Sequence, residues 1–185
     1  MSDEEQLVKV FYTCFQQRDW KGMLDCYHKD IFFYDPVFLN LEGPEVHAMW
    51  EMLLRNAKDL ELNFSNIRME PASPEPATGS AAASQPAGSG PASPTETYGS
   101  CNWVATYTFS QTGRQIVNKG KALFTFSEGK IAEHQDDWSF WKWIRQALGL
   151  PGILLGWTPM LQNKIRRQAR KNLEKFMTRP ASSSV

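Results

Sequence analysis

The stretch YHKDIFFYDP, residues 27–36, decides the fold and contains the first candidate site residue. From Ile31 to Pro36 it is rich in aromatic and β-branched residues and ends at a proline, which is typical of a β-strand stopped by that proline. Side chains alternate between the two faces of a strand, so Ile31, Phe33 and Asp35 share one face. Asp35 is therefore predicted to lie at the end of a buried strand face. A turn-forming aspartate before Pro36 is the alternative interpretation.

The residues around this strand predict helices. Apolar residues recur at helical spacing over residues 3–18, and Leu7, Val10, Phe11, Cys14 and Phe15 form the predicted apolar stripe. Asp19 is expected to cap a shorter second helix that carries Tyr27 on its apolar face. Gly43 and Pro44 start a third helix, which continues to about Ala57.

The second half of the chain predicts a sheet. A strand is expected near residues 60–69, and three more at 98–110, 115–127 and 130–139 are joined by turns into an antiparallel meander. Helices first and a sheet of four to six antiparallel strands later indicate an α+β fold.

Residues 71–97 are almost entirely Pro, Ala, Ser, Gly, Thr and Glu, a composition too poor in apolar residues to offset the entropy of ordering. We expect a disordered insertion within one domain over 1–149, because neither half alone holds a complete sheet. The strands on either side should then be neighbours. An appended basic helix over 150–179 and a disordered tail over 180–185 complete the predicted organisation.

Composition excludes several function classes. Lys plus Arg and Asp plus Glu are balanced at 20 each, so nucleic acid is not an expected partner. Three cysteines without a Cys-x-x-Cys pair, and no secretory signal pattern, favour the reducing cytoplasm. The longest apolar stretch, 148–161, is too short and too interrupted by Pro and Gly to span a membrane. His28 and His47 have no partner at metal-ligand spacing, and we expect neither a metal nor a cofactor.

Two strands of the meander carry unusual faces. In the strand 115–127 the even positions are apolar or small, so they are predicted to point inward. In the strand that follows, His134, Asp136 and Trp138 share one side. A polar group on a core face costs several kcal/mol unless it is paired or hydrated. His134 and Asp136 therefore either bond each other or a nearby backbone group, or they face a ligand in a cavity.

The order of elements and the phrase 27–36 resemble the nuclear transport factor 2-like superfamily, which includes ketosteroid isomerases and SnoaL-type polyketide cyclases. The stretches 133–138 and 145–149 are most similar to the SnoaL-like group. The resemblance covers residues 5–145 apart from the insertion. It implies a cone of helices against a strongly curved antiparallel sheet, with an internal cavity that holds a small hydrophobic molecule.

The resemblance also implies site residues. Asp35 resembles the general base of ketosteroid isomerases, and Tyr27 resembles a pocket tyrosine on the helix before it. Asp136 is similar to the acid or base of the SnoaL-like group, with His134 beside it as a third candidate catalytic residue. The side chains expected to contact a ligand are Tyr27, Phe11, Phe15, Phe33, Trp50, Ala122, Phe124 and Trp138.

Phe11 and Ala122 stand where a ketosteroid isomerase has the tyrosine and aspartate that hold the dienolate oxygen, which argues against steroid isomerisation in that form. Acid/base isomerisation, cyclisation and hydrolysis all suit the remaining residues. A noncatalytic ligand-binding module and a dimeric interaction module that pairs through the sheet are the alternatives.

The segment 149–176 pairs an apolar stretch with a helix whose outer face is strongly basic. This pattern is typical of a helix that contacts an anionic membrane surface or docks on an acidic partner. A helix that packs its apolar stripe on the cone, with Lys and Arg simply solvated, is the other interpretation.

Overall fold

A computed structural model of the chain describes residues 2–71 and 97–178. The predicted insertion, apart from its end residues 71 and 97, and the tail 180–185 lie outside the described residues. The described helices are α1 Asp3–Gln16, α2 Trp20–Asp25, α3 Pro44–Asn56, α4 Phe140–Leu148, α5 Leu150–Leu155 and α6 Pro159–Met177. The described strands are β1 Tyr27–Asp35, β2 Leu39–Glu42, β3 Glu61–Pro71, β4 Thr97–Phe109, β5 Arg114–Ser127 and β6 Lys130–Trp138.

The six strands form one curved, unclosed sheet in the order β2-β1-β6-β5-β4-β3. β3 and β4, which flank the insertion, pair antiparallel, as expected from a single domain. β1 and β6 pair parallel, in contrast to the other neighbours. A parallel pair needs a long connection, and almost the whole meander separates these two strands. The fold is the predicted α+β architecture with additional C-terminal helices.

The strand register stacks the inner-face residues in rows across the sheet. One row runs from Leu41 through Phe33, His134 and Phe124 to Gly99. Asp136 pairs with Ala122 in the next row, and Ala122 pairs with Cys101. Helices α1 and α3 cover this face, with Phe11 and Trp50 buried against it. The rows place the candidate polar residues beneath the helices, in the core.

Two sequence predictions about local structure are wrong. Tyr27 begins β1 and does not belong to helix α2, because the backbone N–H of Ile131 bonds the carbonyl of Cys26 and draws the chain into the sheet at this point. Val10 is exposed, whereas Val8 and Tyr12 are buried with Phe11. The buried stripe of α1 is therefore rotated from the predicted one.

The C-terminal segment folds back onto the cone. Leu173 of α6 is buried in the main core, while Leu161 and Ile165 pack on a second apolar cluster built around α4. Arg166 donates from Nε to the carbonyl of Pro36 at 2.9 Å, and Arg170 forms an ion pair with Glu45. The appended helix predicted over 150–179 is divided into two helices, α5 and α6, which are separated by residues 156–158. Within residues 2–71 and 97–178, no helix is both long enough and apolar enough to cross a bilayer.

Candidate functional site

His134 lies at the centre of the interior, 1% exposed. Its Nδ1 is 2.7 Å from the hydroxyl oxygen of Tyr27, which accepts a hydrogen bond from Trp50 Nε1 at 3.0 Å. An indole N–H can only donate, so the proton of the Tyr27 hydroxyl is free to point at His134. We therefore assign Nδ1 as an acceptor and place the proton of the neutral imidazole on Nε2.

Asp136 lies two residues further along β6, on the same face. Its Oδ1 accepts a hydrogen bond from Trp103 Nε1 at 2.7 Å. The same oxygen is 3.4 Å from His134 Nε2, but this contact does not have hydrogen-bond geometry, and Nε2 has no hydrogen-bond partner among the described residues. The prediction that both residues face the interior is confirmed by their burial. Their mutual contact is a close approach that leaves His134 Nε2 without a hydrogen bond to any described residue.

Trp103 reaches Asp136 because β5 carries a glycine beneath it. A Cβ atom at Gly120 would lie 2.5 Å from Cζ2 of the Trp103 indole, far inside van der Waals contact. Gly120 thus lets the indole lie flat across the strand and present its N–H to the carboxylate on β6. This arrangement links three neighbouring strands.

Tyr12 is a residue of this candidate site that was not predicted from the sequence. It is buried on α1, and its hydroxyl lies beside the Cys101 thiol, a weak hydrogen-bonding group, without a hydrogen bond of regular geometry within the part of the chain that the structure describes. Burial raises the pKa of Tyr12 well above its usual value, and the nearby charge of Asp136 raises it further. The signal was present in the sequence, since Val8, Phe11, Tyr12 and Phe15 follow helical spacing.

Asp35 serves as a turn-forming residue and is also buried, at 9% exposure. Its Oδ1 accepts hydrogen bonds from the backbone N–H groups of Val37 at 2.9 Å and Phe38 at 2.6 Å. Burial raises the pKa of Asp35 to about 7, the charge of Asp136 adds to this rise, and the two backbone donors oppose it. The register of Tyr34 with Gln135 places residues 35 and 136 side by side one step further along. The two carboxylates are therefore neighbours at the inner face.

Aromatic rings fill the space around His134. The ring centroids lie 4.6 Å away for Phe124, 5.2 Å for Phe33, 5.4 Å for Phe11, 6.0 Å for Tyr27 and 6.3 Å for Trp50. Phe15 packs behind Trp50, at 5.1 Å. Most of the predicted ligand-binding residues thus lie together.

Trp138 lies between this group and the second cluster: it borders the main core, while its ring packs on Phe140 and Trp143. Two surface pockets of the described residues lie elsewhere, one beside α1 and β3 and one on the outer face of the sheet. An internal cavity therefore stays a prediction. In the described ranges 2–71 and 97–178, no three His, Cys, Asp or Glu side chains are grouped to hold a metal ion.

Comparison with solved structures places this geometry in a known fold. A proposed polyketide cyclase from Pseudomonas putida superposes with a TM-score of 0.54 at 16% identity, covering 79% of this chain and 98% of its own. A protein of ketosteroid isomerase-like fold from Catenulispora acidiphila, solved in complex with trimethylamine, gives 0.55 at 14% identity, covering 83% and 97%. This chain has the ketosteroid isomerase-like fold.

A third structure of this fold is TerC, co-crystallised with polyporic acid, with a TM-score of 0.50 at 14% identity, covering 75% of this chain and 92% of its own. No family model matches the sequence, and no curated protein matches it. At these identities the likeness concerns the ketosteroid isomerase-like fold alone.

Proposed function

We propose that the protein binds a small, largely apolar molecule bearing one polar oxygen inside the cone, and that Asp35 and Asp136 exchange protons with it. One observation carries the proposal. Tyr12 Oη and His134 Nε2 are both buried without a hydrogen-bond partner in the described residues, and both lie within reach of the Asp136 charge. Each unsatisfied buried polar group costs about 1 to 3 kcal/mol, which a ligand oxygen would recover.

The two unsatisfied groups can act as donors to the same kind of atom. His134 carries its proton on Nε2, and Tyr12 remains a neutral phenol because burial raises its pKa. A carbonyl oxygen accepts from both, and two donors stabilise the negative charge that grows on it when a proton leaves the adjacent carbon. Tyr12 and His134 thus supply the oxyanion stabilisation that the side chains of Phe11 and Ala122 cannot provide.

The base in this scheme is Asp35. A carboxylate with a pKa of about 7 is a stronger proton acceptor than an ordinary aspartate and is still partly ionised at neutrality. It takes the proton from the carbon next to the carbonyl, and Asp136 lies close enough to share or return it. The proton can return at another carbon, or the enolate carbon can attack an electrophile within the same molecule to close a ring.

The surrounding rings set the shape of the ligand. Phe11 and Phe33 pack edge-on against His134 and Phe124 packs against it at a tilt, so a bound molecule has to displace or slide between aromatic faces. A flat ring system does this with the least loss of packing. Cocrystals of TerC with polyporic acid are in keeping with such a ligand in this fold.

Replacing Tyr12 by Phe tests the binding part of the proposal. The variant removes only the unsatisfied hydroxyl, so we expect the free energy of unfolding to rise by about 1 to 3 kcal/mol in urea. We also expect 1-naphthol, followed by fluorescence, to bind the wild type about tenfold more tightly than naphthalene, and Tyr12→Phe to lose most of this preference. Tyr34→Phe on the half-exposed outer side of β1 is the control. A less stable Tyr12→Phe variant, or an unchanged preference for naphthol, contradicts the proposed role.

Hydrogen exchange tests the proton transfer separately. The wild type should accelerate incorporation of deuterium from D₂O at the carbons next to the carbonyl of 2-tetralone, measured by NMR. Asp35→Asn should lower the rate at least about a hundredfold, the contribution of a positioned base. Asp137→Asn, at an exposed position of β6, is the matched control. Exchange equal in wild type and Asp35→Asn excludes catalysis by Asp35 and leaves ligand binding as the function.

A homodimer through the sheet and a cytoplasmic location stay predictions.

A further inference from the structure

Helix α5 and the turn after it expose an unusual number of large apolar side chains. Six residues between positions 150 and 160 are 48% to 74% exposed, and we call them the apolar tip: Leu150, Ile153, Leu154, Leu155, Trp157 and Met160. Single exposed apolar residues are common on protein surfaces. Six within eleven residues form a contiguous patch, which indicates an interaction site.

The way α5 is attached explains why these side chains point outward. Gly152 and Gly156 form its buried side, where a Cβ on Gly152 would lie 2.3 Å from the carbonyl oxygen of Ile144. A Cβ on Gly156 would lie 2.8 Å from Cγ2 of the same isoleucine. The helix therefore packs on α4 through its glycines and directs its large residues to solvent, the reverse of an ordinary amphipathic helix.

The face of α6 that continues from the tip is basic. Met160, Lys164, Arg167, Lys171 and Lys175 follow one another at intervals of three or four residues, so they lie along one side of the helix. We call the four cations the basic stripe. All four are exposed, and none forms an ion pair with a described residue. The opposite side of α6 packs on the cone through Leu161, Ile165 and Leu173.

We propose that the apolar tip and the basic stripe together dock the protein on an anionic membrane surface. The chemistry of the two parts fits the two layers of a lipid interface, since the tip matches the acyl chains and the stripe matches the headgroup phosphates. Met160 of the tip lies on the same side of α6 as the basic stripe, so the tip and the stripe adjoin each other. The indole of Trp157, 66% exposed, suits the boundary between the layers. This inference is independent of the proposed ligand site.

Sedimentation of the full chain with vesicles tests the proposal. We expect binding to vesicles of phosphatidylcholine mixed with phosphatidylserine and much weaker binding to phosphatidylcholine alone. Each basic residue near an anionic surface contributes about a fivefold factor, so Lys164→Glu with Lys171→Glu should weaken binding at least tenfold. Lys58→Glu with Lys119→Glu, two exposed cations elsewhere, should leave it unchanged.

The tip is tested with Leu154→Ser and Trp157→Ser together, which should weaken binding at least about tenfold. Leu53→Ser on α3 is the exposed apolar control. Brominated lipids should quench the fluorescence of the wild type and of Trp141→Phe, but much less that of Trp157→Phe. The proposal is overturned if the chain does not sediment, if neutral and anionic vesicles bind it equally, or if the tip variants bind as the wild type does. A dimer in sedimentation velocity that the tip variants dissociate shows instead that a second copy covers the tip.

Discussion

Replacing Asp35 by Asn is expected to raise the free energy of unfolding by roughly 4 kcal/mol at about pH 8 and to change it little at about pH 4. The folded pKa of about 7 lies above the ordinary value of 3.8, so the unfolded state loses this proton first as the pH rises. The contribution of Asp35 to the free energy of unfolding therefore decreases as the pH rises from 3.8 to about 7, and it is constant above that range. Asparagine retains the Oδ1 that accepts from Val37 and Phe38 but cannot ionise.

Urea unfolding of both proteins across this pH range measures the difference directly. The difference between wild type and variant should grow from pH 4 to pH 7 and then level off. The exposed Asp137→Asn serves as the control that reports general charge effects. A stability difference that does not depend on pH would mean that Asp35 is as well solvated in the native state as in the unfolded chain.

The second large effect is expected at Gly120. Gly120→Val forces the Trp103 indole off the strand, because the new Cβ would overlap Cζ2 of the ring. The hydrogen bond to Asp136 is then lost, and a buried carboxylate is left without this donor. Overpacking and an unsatisfied buried acceptor together should lower the free energy of unfolding by roughly 3 to 5 kcal/mol.

A thermodynamic cycle identifies the cause. In a Trp103→Ala background the indole is absent, so Gly120→Val should cost much less than in the wild type. Lys121→Val, at the next position but on the exposed outer face of β5, controls for the effect of valine on strand propensity. Equal costs of Gly120→Val with and without the indole would show that the glycine does not act through Trp103.

The polar residues of the interior were predictable because a strand has a simple period. Alternation along β6 placed His134 and Asp136 on one face, and both are buried. Alternation on β5 likewise predicted Gly120 and Ala122 inside. The buried face of a helix is harder to assign than that of a strand. The apolar stripe predicted from Leu7 and Val10 does not include Tyr12. A shift in the predicted buried face of α1 therefore left Tyr12 out of the candidate site.

Other features depend on elements that the sequence does not place next to each other. The Trp103 contact with Asp136 needs the register of three strands, which periodicity alone does not give. Helix α5 was not predicted as a separate helix, because Pro151, Gly152 and Gly156 are typical of helix ends. In the fold the proline lies in the first turn and the glycines are the packing surface. The two glycines thus determine which side of the helix is buried.

The parallel pairing of β1 with β6 has a consequence for biosynthesis. β1 emerges from the ribosome early and can meet only β2 at first, because its other neighbour is the last strand of the sheet. Phe33 and Trp50 therefore cannot complete their core packing until β6 has been translated up to residue 138. Contacts this distant along the chain form slowly, so the amino-terminal third waits for the carboxyl-terminal part before the domain acquires its native compactness.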